Sequence, residues 1–215
     1  MQVFLADRFD AARCRFHLSG MIAGIVLAGG RSRRMGRPKA LLKVGEETFL
    51  ERAVRTLSLG GCEDVVVVLN AEDPVFTEVA VSAGGRLTSG AGPGTEQIDS
   101  LRAGLRALPQ EVEAAVVQPV DHPLVRSPTV TALIDAFKRR GAPIVRPVYE
   151  GQHGHPVLFS AAVFGELLHG DLPEGARSLV HRYRGEAEDV QVDDRGVLID
   201  VDTPADLDKY LGALE

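Results

Sequence analysis

The sequence predicts an α/β fold: a mostly parallel sheet with helices on both faces. Three observations carry that prediction. Short apolar runs alternate with segments of helical spacing over the first 140 residues, which demands right-handed crossovers between parallel strands. The apolar runs, such as Asp64–Leu69 (DVVVVL), lack a polar face, as strands covered on both sides should. A glycine- and arginine-rich segment follows the first run directly, and ligands of open α/β sheets sit at the carboxyl ends of strands.

Each element has its own signal. Ile22–Ala28 is an apolar run ending in glycines, hence a buried strand. Thr48–Leu59 carries apolar residues at 49, 50, 53, 54 and 57, which is helical spacing. Asp64–Leu69 reads as the next strand, Pro74–Ala83 as a helix, and Ile98–Leu108 as another, apolar at 98, 101, 105 and 108. Ala114–Val117 is a third apolar strand, and Pro128–Arg140 a helix, apolar at 130, 133, 134 and 137. Pro143–Val148, Val157–Phe159, Glu186–Val192 and Val197–Val201 read as strands. Ala161–Leu168, Ala176–Tyr183 and Pro204–Leu214 read as helices. The His/Gly-rich stretch 149–160 breaks the rhythm.

The 215 residues suit one domain, here residues 21–215, because no repeat, low-complexity tract or clear linker divides them. A chain of this length buries roughly 70% of its unfolded surface and needs no staples. A net charge of −6 without a Lys/Arg block argues against a nucleic-acid groove or an anionic membrane surface, but not against a phosphate ligand. No apolar run reaches the roughly 18–20 residues of a membrane span. Cys14 and Cys62 form no disulfide framework, so a reducing cytoplasm is the expected location. Asp7, Arg8, Asp10, Arg13 and Arg15 forbid a secretory signal. Residues 1–20 read as a poorly ordered extension upstream of Met21, or as a short amphipathic helix through Phe4, Leu5, Phe9, Ala12 and Phe16.

Leu27 to Lys39 (LAGGRSRRMGRPK) packs glycines, four arginines and a lysine into thirteen residues after a strand. Glycines let backbone N–H groups converge on an anion, and Arg and Lys add mobile charge around the same oxygens. The composition suits a polyphosphate; the alternative is a solvated basic loop. The segment is neither a Walker A loop nor a Gly-x-Gly-x-x-Gly turn. Asp121, just after the strand 114–117, is placed either to ligate a hard cation or to cap a turn before Pro123. Near the C-terminus, Asp200, Asp202 and Asp206 surround Thr203-Pro204, where Asp202 or Thr203 is available to cap the last helix. His153 and His155 flank Gly154, too few ligands for zinc.

LAGGRSRRMGRPK resembles the L-A-[GA]-G-x-S-x-R-M-G-x-x-K signature of nucleotidyltransferases of the molybdenum-cofactor type, at every fixed position. VDHP (120–123) is similar to that family's metal-binding D-x-P segment, and IDVDTPADL (199–207) to its C-terminal D-x-D-T-P-x-D-L. GHPVLF (154–159) resembles its acceptor-side motif, in the form of the cytidylyl branch, whereas Ala28-Gly29-Gly30 also occurs in the guanylyl branch. The likeness covers about residues 22–212 and implies a Rossmann-like fold of the nucleotide-diphospho-sugar transferase type.

What the resemblance implies about residues is specific. Leu27, Ala28, Gly29, Gly30 and Arg31 would cradle the nucleotide, Ser32 and Gly36 would shape the loop, and Arg34 and Lys39 would bind phosphates. Asp121 would be the main Mg²⁺ ligand, Asp202 the second, and Asp200 a weaker candidate. Arg34, Lys39 and Asp121 would carry catalysis. Gly154, His155 and Pro156 would receive the acceptor, His155 reading equally well as a structural histidine hydrogen-bonded to backbone, and Ser100 belongs to the family's nucleotide-side S-L-x-x-G-L helix start. Glu96-Gln97-Ile98-Asp99 replaces the small residues usual before that helix. The implied reaction moves NMP, CMP favoured, from an NTP (CTP or GTP) to a small phosphorylated acceptor, foremost molybdopterin, releasing pyrophosphate. A guanylyltransferase, or a non-catalytic accessory protein for a partner molybdoenzyme, is the alternative. The sequence leaves the oligomeric state open.

Overall fold

The computed structural model describes residues 20–29, 38–69, 74–90, 92 and 96–210. The expected extension at 1–20 lies, apart from Gly20, outside them. The strands are β1 (Met21–Leu27), β2 (Lys43–Val44), β3 (Glu47–Thr48), β4 (Asp64–Leu69), β5 (Arg86–Ser89), β6 (Val112–Pro119), β7 (Ile144–Tyr149), β8 (Gln152–His153), β9 (Val157–Ser160) and β10 (Glu188–Gln191). The helices are α1 (Phe49–Leu59), α2 (Pro74–Ser82), α3 (Gln97–Arg106), α4 (Ser127–Arg140), α5 (Phe164–His169), α6 (Ala176–Arg182) and α7 (Pro204–Tyr210).

The main sheet runs β10-β7-β9-β6-β1-β4-β5, with β8 hairpinned onto β7. All strands along that path are parallel except β9, which pairs antiparallel with both β6 and β7. The period-2 alternation of side chains sorts the apolar runs onto two faces. Ile22 and Val26 of β1 with Val65 and Val67 of β4 join one core, under α1, α2 and α4. Ile25 of β1 with Val66 and Val68 of β4 joins the other, under α3, α5 and α6. The doubly covered sheet expected from the sequence is therefore present. No described helix is long and apolar enough to cross a membrane.

Local chemistry fixes the element ends. Thr48 caps α1 in a reciprocal box: Glu51 N donates to Thr48 Oγ1 at 3.1 Å, and Thr48 N donates to Glu51 Oε2 at 2.6 Å. α4 ends on Gly141 in the left-handed region, whose N–H bonds Phe137 O. Gly104 lets α3 lie close on the sheet, since a Cβ there would stand 2.8 Å from Ile25 Cγ2.

One expected strand is absent. Val197–Val201 is not in the sheet; Arg195–Leu198 is a 3-10 turn followed by extended chain. Its apolar residues mimic a strand because Val197, Ile199 and Val201 are all buried. Its backbone is held by isolated bonds, Val201 N to Asp121 O and His155 N to Val197 O, in place of a ladder.

Candidate active site

The carboxyl ends of β1 and β6 finish side by side, with Val120 N donating to Leu27 O at 3.1 Å. Asp121 sits in the turn that follows, and its carbonyl accepts from Val201 N at 2.9 Å. That bond lays the Asp200–Asp202 run against Asp121, across 80 residues of sequence. Lys39 opens a 3-10 turn (Lys39–Leu41) and reaches into the same place. Its Nζ lies 3.3 Å from Asp121 Oδ2 and 4.0 Å from Asp200 Oδ1, and it donates a hydrogen bond to Asp202 Oδ1. Asp121, Asp200 and Asp202 each offer a carboxylate oxygen within 4.8 Å of the others.

The crowding acts on Asp200. Burial, then the charges of Asp121 and Asp202, raises the Asp200 carboxyl to about 6. Burial alone would lower the Lys39 pKa, but the hydrogen bond to Asp202 and the charges of both aspartates outweigh it, so the ammonium is held above its ordinary value. An all-oxygen donor set of this size fits a hard divalent cation, which takes carboxylates together with ligand and water oxygens.

The competition between capping and ligation at Asp202 is resolved by division of labour. Asp206 Oδ2 accepts from Thr203 N at 2.8 Å and from Asp202 N at 3.1 Å, while Asp206 N donates to Thr203 Oγ1 at 3.3 Å. Thr203 and Asp206 thus cap α7 and leave the Asp202 carboxylate facing Lys39.

Sequence reasoning missed Asp194. Its carboxylate is 5% exposed and accepts from Arg126 N at 2.9 Å, Thr129 Oγ1 at 2.6 Å and Gly196 N at 3.0 Å. It ties the strap 194–202 to the first turn of α4. His155 N adds a second tie to Val197 O, at 2.9 Å. Gly154 lies so near the strap that a Cβ would meet Val197 O at 2.3 Å. An acid before Arg-Gly in an irregular stretch gave no periodic signal.

His155 and the buried His122 face each other with ring centroids 4.7 Å apart. Burial, then the neighbouring His122, lowers His155 to about 4; burial also lowers His122. Both rings are neutral near pH 7. Beside them opens a cavity of about 620 Å³. Leu27, Val117, Val157 and Phe159 contribute apolar lining, and Glu96, Gln97, Arg146, Gly154, His155 and Arg177 are among its remaining wall residues. Arg146 is held there by Asp189, which accepts from it at 2.7 and 2.9 Å and bonds His153 at 2.9 Å. That network also escaped the sequence analysis.

The structure therefore brings together Lys39, Asp121, Asp200 and Asp202, and sets Leu27, Gly154 and His155 around the adjoining cavity. Ala28 and Gly29 follow β1 directly, with Ala28 N bonded to Val68 O at 3.0 Å. Pro156 is buried beside His155. Ser100 is 4% exposed within α3. Gly30, Arg31, Ser32, Arg34 and Gly36 lie outside the described residues.

Comparison with known proteins places the chain among nucleotidyltransferases. A probable molybdenum cofactor guanylyltransferase of Mycobacterium avium is 31% identical over 193 residues, 88% of this chain and 94% of that protein. The 2-C-methyl-D-erythritol 4-phosphate cytidylyltransferase of Streptomyces coelicolor is 36% identical over 141 residues, 58% of this chain and 48% of its own length. Three of the curated relatives are spanned over only 25%, 48% and 64% of their length. The solved structure of Rv0371c from Mycobacterium tuberculosis H37Rv in complex with manganese superposes with a TM-score of 0.74 at 28% identity, covering 90% of this chain and 99% of that one. Residues 24–188 match the model of the MobA-like NTP transferase domain, and the chain belongs to that family.

Proposed function

We propose that this chain is a divalent-metal-dependent nucleotidyltransferase that moves NMP from an NTP to a small phosphorylated acceptor and releases pyrophosphate. The observation that carries the reading is the convergence of Lys39 with Asp121, Asp200 and Asp202 at the carboxyl edge of the sheet, beside a cavity sized for a small molecule.

Asp121 and Asp202 are the proposed ligands of the metal, Mg²⁺ by preference, with Asp200 able to join them; the manganese complex of Rv0371c supports a metal in this fold. When bound, the ion would neutralise charge on the phosphates. The chain's own residues do the rest. Lys39 and Arg34 bind the triphosphate in a cradle of Leu27, Ala28, Gly29, Gly30 and Arg31, with Ser32 and Gly36 shaping the loop, and Gly154, His155 and Pro156 receive the acceptor. An acceptor phosphate oxygen attacks the α-phosphorus; the new oxygen–phosphorus bond forms as the bond to pyrophosphate breaks. That nucleophile is already ionised near pH 7, so no general base is needed. Catalysis reduces to in-line positioning and charge stabilisation. A neutral His155 in the cavity lining suits this, because a ring placed there can meet the acceptor without supplying or removing a proton.

Molybdopterin is the favoured acceptor, because the M. avium relative is named for that cofactor. The GHPVLF segment favours CMP as the transferred group; the guanylyl name of the same relative makes GMP the alternative. A second reading, a nucleotide-binding accessory protein without turnover, draws on Glu96 and Gln97, which line the cavity where the family has small residues. The test is pyrophosphate release from CTP, GTP, ATP and UTP in parallel, with Mg²⁺, first with molybdopterin and then with small phosphorylated acceptors. Acceptor-dependent release from one nucleotide supports the transferase and names its base. Nucleotide binding without release in any pairing supports the accessory reading instead.

A further inference from the structure

We propose that Lys39 is a resident counter-ion that competes with the divalent cation for the Asp121–Asp200–Asp202 carboxylates, so that polyphosphate, by drawing the ammonium away, raises the site's metal affinity. The inference rests on those carboxylates being the metal ligands, as in the function proposed above. One ammonium lies within 4.0 Å of an oxygen of all three side chains, and those oxygens lie within 4.8 Å of one another. A small divalent ion coordinated at about 2.1 Å by two of these carboxylates must occupy that same centre. Two cations there would repel each other at short range in a half-buried site, where Coulomb energies are only partly screened. The Lys39 side chain is 11% exposed, so its charge is not dissipated by water.

The location of Lys39 supplies the release. It follows directly on the Gly/Arg-rich segment read as a polyphosphate cradle, and a lysine moves its charge on a flexible four-carbon stem. Phosphate oxygens arriving there offer the ammonium a new partner, and the vacated carboxylates can then close on the ion. By linkage the coupling is reciprocal: metal in the site pushes Lys39 toward phosphate. The protein without nucleotide is thereby kept from loading metal prematurely.

The experiment is Mn²⁺ titration of the full-length, metal-free, nucleotide-free protein, read by the electron paramagnetic resonance of free Mn²⁺. Wild type is compared with Lys39→Met, Asp121→Asn and Lys43→Met, the last removing an exposed charge elsewhere. Lys39→Met is expected to bind Mn²⁺ about tenfold more tightly than wild type, a typical coupling between sites. Lys43→Met should match wild type and Asp121→Asn should bind weakly. In thermal unfolding, Mn²⁺ should raise the Tm of Lys39→Met more than that of wild type; if that variant does not unfold cooperatively, Lys39→Gln carries the same comparison. Equal or weaker Mn²⁺ binding by the Lys39 variants, with Asp121-dependent binding intact, overturns the competition and leaves the metal site standing. No Asp121-dependent binding in any variant overturns the metal site itself, and the competition with it.

Discussion

Replacing Asp194 with Ala should cost about 3–5 kcal/mol of folding stability, the range for breaking a buried charged network by removing one partner. The magnitude follows from its contacts. The carboxylate accepts from Arg126 N, Thr129 Oγ1 and Gly196 N at 2.6–3.0 Å, and hydrogen bonds to a charged group contribute about 1.5–3 kcal/mol net each. The sum overshoots, because the first-turn amides of α4 regain water when the strap loosens. The Arg126 guanidinium, 59% exposed and 3.4 Å away, adds little. Urea unfolding at pH 7 with an unchanged m-value measures the loss, against a total of about 5–15 kcal/mol for a domain. Asp194→Asn, which keeps the volume but turns an NH₂ toward a donor, should lose an intermediate amount. Because the strap carries Asp200 and Asp202, Mn²⁺ affinity should fall in parallel. A loss under about 1 kcal/mol for Asp194→Ala would refute the reasoning.

Three further outcomes follow from local geometry. Gly154→Ala drives a Cβ to 2.3 Å from the backbone carbonyl of Val197, so it should cost about 1–3 kcal/mol in urea unfolding and weaken acceptor use. His155 has its folded pKa lowered to about 4, so its neutral form contributes stability that is complete above pH 6.5 and is lost as pH falls toward 4; the urea midpoint of wild type should drop over that window more than that of His155→Gln. Asp200 behaves oppositely in the metal-free protein. Its folded pKa is raised to about 6, so stability declines as pH rises from about 4 to 6, and Asp200→Asn should gain on wild type above pH 6.

Legibility in the sequence followed the strength of the local signal. DVVVVL (64–69) matches β4 at both ends, since a β-branched run with no polar face has few other uses. α1 was readable from its apolar spacing alone; its Thr48–Glu51 capping box emerged with the structure. β5 (RLTS) was not, because a short, half-exposed edge strand carries no apolar pattern. VLIDV at 197–201 gave a false strand: its apolar residues are the buried side of a strap held by the Asp194 carboxylate and isolated backbone bonds, not by a ladder. At the site, the places of Asp121 after a strand and Asp202 before a helix left ligand and cap both open, and the family resemblance singled the two out. That Lys39 meets them depended on chain crossings of 82 and 163 residues, which no local pattern encodes. The Arg146–Asp189–His153 wall was invisible for the same reason.

The most direct test of the proposed function is pyrophosphate release by wild type and by Asp121→Ala, side by side, with Mg²⁺ and the nucleotide–acceptor pair that wild type uses. Asp121→Ala should unfold cooperatively yet turn over at least about 10²-fold more slowly, as expected when a transition-state charge stabiliser is removed. A folded Asp121→Ala protein that releases pyrophosphate at the wild-type rate would contradict the account.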